Sequence, residues 1–113
     1  MPIMSDTTSV AAGATSANVL LGEALALLPF PALVKVEAST SAAAGEMTAT
    51  FKSGLTVHAD AAPVNPAVAA GVLDAQGRDT ILPGEKAQGT LDLRFTSGAA
   101  GATNATWRVT VAI

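Results

Sequence analysis

"NVLLGEALALLPFPALVKVEAS", Asn18 to Ser39, is the most apolar stretch of this chain, with Glu23 its only charged residue before Lys35. A transmembrane helix needs ~20 predominantly apolar residues. The apolar run here, residues 18–34, is shorter and is interrupted by Glu23, Pro29 and Pro31. A glutamate at mid-span costs on the order of 3 kcal/mol on insertion scales, so no membrane span is expected. A long helix fails for a different reason. Each proline removes a backbone donor and restricts the residue before it, which leaves at most a short helix over Gly22 to Leu28. Farther on, Val34, Val36 and Ala38 alternate with Lys35, Glu37 and Ser39. That favours two strands around a Pro29-Phe30-Pro31 corner. The first of them, through Leu28, shows little alternation, as expected where a neighbouring subunit covers the second face.

Period-two alternation recurs through the rest of the chain. Trp107, Val109, Val111 and Ile113 face one way, against Arg108, Thr110 and Ala112. Leu91, Leu93 and Phe95 oppose Asp92, Arg94 and Thr96, and Met47, Ala49 and Phe51 oppose Thr48, Thr50 and Lys52. Leu55, Val57 and Ala59 oppose Thr56, His58 and Asp60. Alternation with β-branched enrichment marks half-buried antiparallel strands. The connections agree: Lys52-Ser53-Gly54 reads as a hairpin, Pro83-Gly84 as a type II turn, Asp74 to Asp79 as a polar turn, and residues 96–105 as a small-residue loop. Pro63 and Pro66 argue against a regular central strand there. Ala-Ala-Gly occurs four times, with unequal spacings and unaligned flanks, so it signifies similar turns rather than a repeat architecture.

These elements predict an all-β chain: a single antiparallel β-sandwich of about seven or eight strands, jelly-roll or immunoglobulin-like, over residues 10–113. Residues 1–9 read as a polar Ser/Thr-rich arm with an apolar tip at Pro2, Ile3 and Met4. Val36, Phe51, Val57, Leu91, Leu93, Phe95, Trp107, Val109 and Val111 are the expected core. With three Phe, one Trp and no Tyr, that core is short of large side chains, and burial between copies would add to it. The absence of cysteine leaves packing and partners as the sources of extra stability. A net charge of −3 with six scattered basic residues offers no stripe for nucleic acid. The first 17 residues hold Asp6 and no Lys or Arg, unlike a secretory signal.

Residues that carry chemistry are sparse. His58 is the sole histidine and falls on the outward phase of its strand. It has no spacing partner for a metal, and any Ser-His-acid triad would have to use it. Asp74, Asp79 and Glu85 bracket an oxygen-rich loop without EF-hand spacing. Asn104-Ala105-Thr106 is formally a glycosylation sequon. Of the aromatics, only Phe30 is expected at the surface. No catalytic, metal or cofactor site is expected, and an enzyme is disfavoured.

The order of pieces in "TTSVAAGATSANVLLGEALALLPFPALVKVEASTSAAAGEMTATFKSG", "ILPGEKAQGTLDLRFTSG" and the terminal "WRVTVAI" resembles small bacteriophage virion structural proteins. The resemblance lies in an early Ala-Ala-Gly turn, a Leu-Pro corner, a Ser-Ala-Gly hairpin and a Pro-Gly turn before the penultimate strand. It implies a β-sandwich capsid decoration or minor capsid subunit, assembled in the host cytoplasm into the virion. Its partners would be itself, in an oligomer such as a trimer, and a major capsid protein. Ile3, Met4, Val19, Leu20, Leu21, Leu25, Leu27 and Phe30 are the expected contact residues. The alternative is a carbohydrate-binding or adhesin-like module, with its site in the Asp74 to Asp79 and Thr96 to Ala105 loops.

Overall fold

The computed structural model of the protein describes residues 2–67, 71–73 and 77–112. Seven strands follow in order: β1 (Ile3–Val10), β2 (Leu27–Thr40), β3 (Met47–Ser53), β4 (Thr56–Pro63), β5 (Asn65–Pro66), β6 (Thr80–Ser97) and β7 (Thr103–Ala112). They lie in the order β1-β7-β2-β6-β3-β4, each neighbour antiparallel, and the short β5 adds a parallel pairing to β2 at Ser39 and Thr40. The fold is the expected all-β antiparallel class. The inward position of Ile113, the Asp74 end of the polar turn and most of the third Ala-Ala-Gly lie outside the described residues.

The length of β6 organises the molecule. Its first half, through Thr90, pairs with β2, and its second half, Leu91 to Ser97, pairs with β3. Gly89, at φ +89°, stands where the strand changes partner, in a backbone region that other residues rarely adopt. The two hydrogen-bonded sets therefore share one strand, and their inner faces enclose a single core. Trp107, Val109 and Val111 of β7, Val34, Val36 and Ala38 of β2, Phe51 of β3 and Leu91, Leu93 and Phe95 of β6 are fully buried in it.

Four expectations are corrected. First, the polar arm expected over residues 1–9 is largely a strand of the sheet. Residues 3–10 form β1, paired with β7 in unbroken register from Ile3↔Thr110 to Val10↔Thr103. The Ser/Thr-rich composition that reads as a polar arm is equally that of an edge strand. Second, Pro83-Gly84 is not a turn. It bulges within β6, where two residues stand between Leu82 and Glu85 against one, Lys35, on β2. Third, Pro29-Phe30-Pro31 does not divide two strands. It is a bulge inside β2, three residues opposite Gln88, where a missing N–H costs no ladder bond.

Fourth, Asn18 to Ala26 is a chain of turns, not a strand. Its entry runs beside the second half of β6. Ser16 N–H donates to the Phe95 carbonyl and Val19 N–H to that of Leu93, at 2.7 and 2.9 Å. Side chains complete this pairing. Ser16 Oγ accepts from Phe95 N–H, and Asn18 Oδ1 from Leu93 N–H. The apolar character of this segment serves the chain's own core, where Leu20 and Leu28 are buried.

Candidate functional site

The contact residues expected from sequence divide into two groups. Ile3, Leu21, Leu27 and Phe30 are exposed, at 57, 71, 62 and 48%. Val19 and Leu25 are half-buried against the core. Met4 and Leu20 are corrections, because both point into this chain's own core and offer nothing to a neighbour. Met4 faces inward because β1 alternates against β7, opposite Val109. Leu33, half-exposed, and Leu55, fully exposed, join the surface group.

Leu27 and Leu33 occupy the outward phase of β2, with Leu28, Ala32 and Val34 inward. The bulge between them carries Phe30 outward, and Gln88 Nε2 braces it by donating to the Pro29 carbonyl at 3.2 Å. The β3–β4 hairpin abuts the same end of β6, where Gly54 N–H donates to the Thr90 carbonyl at 2.9 Å. An open cleft of about 720 Å³ separates the two, lined by Pro31 on one side and by Ser53, Leu55 and His58 on the other.

His58 contradicts its expected outward position, and Val57 its expected core position. Lys52 pairs with Val57 and Phe51 with Ala59, so His58 is the extra residue of a β-bulge. The bulge turns its ring inward, to 6% side-chain exposure, and leaves Val57 half-exposed beside outward Lys52. Nε2 of His58 lies 2.7 Å from Ser53 Oγ, and Nδ1 lies 3.3 Å from Glu85 Oε1. An ionised carboxylate only accepts, so Nδ1 carries a proton. On the neutral ring Nε2 then accepts from the Ser53 hydroxyl. The ring also packs 5.7 Å from that of Phe51.

The order hydroxyl–Nε2, Nδ1–carboxylate is that of a nucleophile, its base and an orienting acid. The surroundings argue for a different use. Ser53 is only 5% exposed. The donors beside it, Gly54 N–H and Gln88 Nε2, both already serve protein carbonyls instead of a developing oxyanion. The cluster acts as a latch that ties β3, β4 and β6 at the cleft. A fluorophosphonate probe should therefore leave Ser53 unlabelled, as intact-mass spectrometry would show. His58→Ala should lower stability by about 2 kcal/mol through lost ring packing and a stranded hydroxyl, read by urea unfolding.

A second polar constellation lies farther along β2, on the same phase as Leu33. Glu37 is 4% exposed and receives both Nε and Nη2 of Arg108, each at 3.0 Å, from the residue directly across on β7. Ser39 beside it is fully buried and donates to the Val72 carbonyl. Arg108→Ala would strand the Glu37 carboxylate, with only Lys35 at 4.0 Å in reserve. The expected loss is about 2–3 kcal/mol, below that of a fully buried pair because Arg108 is partly solvated, and thermal melting would measure it.

Of the acids bracketing the oxygen-rich loop, Glu85 is engaged with His58, Asp79 is buried, and Asp74 lies outside the described residues. Among the described residues no group of three or more His, Asp or Glu is placed to hold a metal ion. No helix in them is long and apolar enough to cross a membrane. Comparison with protein-family models, curated proteins and solved structures returns no match.

Proposed function

We propose that the protein is a virion structural subunit, a capsid decoration or minor capsid protein that stabilises a shell through β-sandwich contacts and has no catalytic role. The observation that carries this reading is the display of Leu27, Phe30 and Leu33, at 48–62% exposure, along one strand braced by a proline bulge. Single exposed apolar residues are ordinary, but neighbouring large ones mark a contact surface. The rigidity of the display adds weight. A bulge flanked by two prolines loses little backbone freedom when a partner covers it. The resemblance of the chain to small phage virion proteins supplies the kind of partner: further copies of itself and a major capsid protein.

Mass spectrometry of purified virions tests the reading directly, with the chain expected in the particle fraction in proportion to the capsid protein. Leu27→Ser with Phe30→Ser should release it from particles and leave its melting temperature within about 4 °C, since surface substitutions usually cost no more than ~0.5 kcal/mol each. Absence from washed particles would overturn the reading.

A further inference from the structure

The two outer strands of the β1-β7-β2-β6-β3-β4 order differ in a way that selects one of them for pairing. β4 is unsuited to receive another strand. Two bulges break its register, Ala61 is turned to φ +49°, and the strand ends on Pro63. Such irregularities are how sheet edges are blunted. β1 has none of them, keeping unbroken register over eight residues with no proline and no lysine.

The phase of β1 follows from one bond. Val111 N–H donates to the Pro2 carbonyl at 3.0 Å. Residues 2, 4, 6, 8 and 10 therefore turn their backbone groups toward β7. Ile3, Ser5, Thr7 and Ser9 turn theirs outward, and no strand lies beyond them among the described residues. One outward donor is occupied locally: Thr7 N–H donates to Asp6 Oδ1 at 2.8 Å.

We propose that β1 joins two copies of this chain, antiparallel across a two-fold axis at Thr7. The proposal rests on the assembly reading and names one of its joints. The residues of β1 choose both partner and register. With Thr7 opposite Thr7, Ser5 faces Ser9 and Asp6 faces Thr8 of the second copy. The strand is thus complementary to itself, as an isologous contact requires. One step to either side in the same phase fails. Centring the axis on Asp6 sets two carboxylates directly opposite, which is destabilising. Centring it on Thr8 sets the Asp6 carboxylate against apolar Val10. Thr8 suits its part, because its hydroxyl accepts from Trp107 Nε1 at 3.1 Å and keeps its own proton to donate. On pairing, Asp6 exchanges Thr7 N–H of its own strand for the Thr8 hydroxyl of the second copy. Thr7 N–H then enters the new ladder.

The chain has no cysteine, so single substitutions report the register directly. Under mild oxidation the full-length Thr7→Cys protein should form a disulfide dimer. Its rate should exceed that of Ala100→Cys, in the exposed β6–β7 loop, on the order of a hundredfold, the ratio of a millimolar effective concentration to ~10 µM protein. A mixture of Ser5→Cys and Ser9→Cys chains should cross-link to each other in preference to themselves. Thr7→Pro removes an outward donor without touching the β7 ladder, and should convert the sedimenting dimer to monomer. A monomeric wild type, a dimer that survives Thr7→Pro, or Thr7→Cys cross-linking no faster than Ala100→Cys would each overturn the joint. Failure of the shell reading is separate, because Leu27→Ser with Phe30→Ser leaves β1 intact and is scored by release from particles.

Discussion

Asn18→Ala should lower the unfolding free energy by about 3–5 kcal/mol, measured by urea denaturation at neutral pH. The side chain is 7% exposed and replaces a stretch of strand. Nδ2 donates to the Leu91 carbonyl, and Oδ1 accepts from both Leu20 N–H and Leu93 N–H, all at 3.0 Å. Truncation strands one acceptor and two donors at once. A buried backbone group without a partner costs ~1–3 kcal/mol, while an intact bond contributes a net ~1. The harm therefore comes from what is left behind, and it falls on the half of β6 that carries Leu91, Leu93 and Phe95. A loss under about 1 kcal/mol would mean that the turn over residues 18–26 detaches and lets water satisfy those groups.

Trp107→Ala should cost about 3–5 kcal/mol, against a total of ~5–15 for a domain of this kind. Trp107 heads the largest fully buried side chains, in a core whose other aromatics are Phe51 and Phe95. Neighbouring alanines such as Ala38, opposite it on β2, and Ala105 cannot collapse far into the space it leaves. Its indole N–H also fastens β1 through Thr8. Trp107→Phe separates the two contributions: most of the packing stays, the Thr8 bond goes, and the expected loss is ~1–2 kcal/mol. Thermal melts of the two variants should differ by at least several degrees.

How far the fold was legible follows the range of the interactions that decide each element. Met47 to Ser53, Leu91 to Ser97 and Thr103 to Ala112 alternate strictly, and their inward residues are buried as expected. Alternation is local, so one strand displays it without its partner. A bulge is not local. Pro83-Gly84 and Pro29-Phe30-Pro31 have the composition of turns, and only the facing strand, Lys35 or Gln88, makes them bulges. His58 shows the same limit at the candidate site. One inserted residue reverses the phase of β4, and with it the positions of Val57 and His58. The Ser53–His58–Glu85 cluster spans three strands, and no spacing in the sequence signals it. The apolar composition of residues 18–34 is legible in the sequence, but which of its side chains reach the surface is not. The sequence could not separate Leu27 and Phe30 from Met4 and Leu20, which the fold keeps for itself.

Pairing between β1 and β7 also sets an order of events during synthesis. β1 leaves the ribosome roughly a hundred residues before its partner, which at ~5–20 residues per second is a wait of about 5–20 s. For that interval both of its edges are bare, the one destined for β7 as well as the one facing outward. Chains growing side by side on one message would hold β1 strands close together at that stage. If β1 joins two copies as proposed, subunits would then meet strand to strand before either has closed.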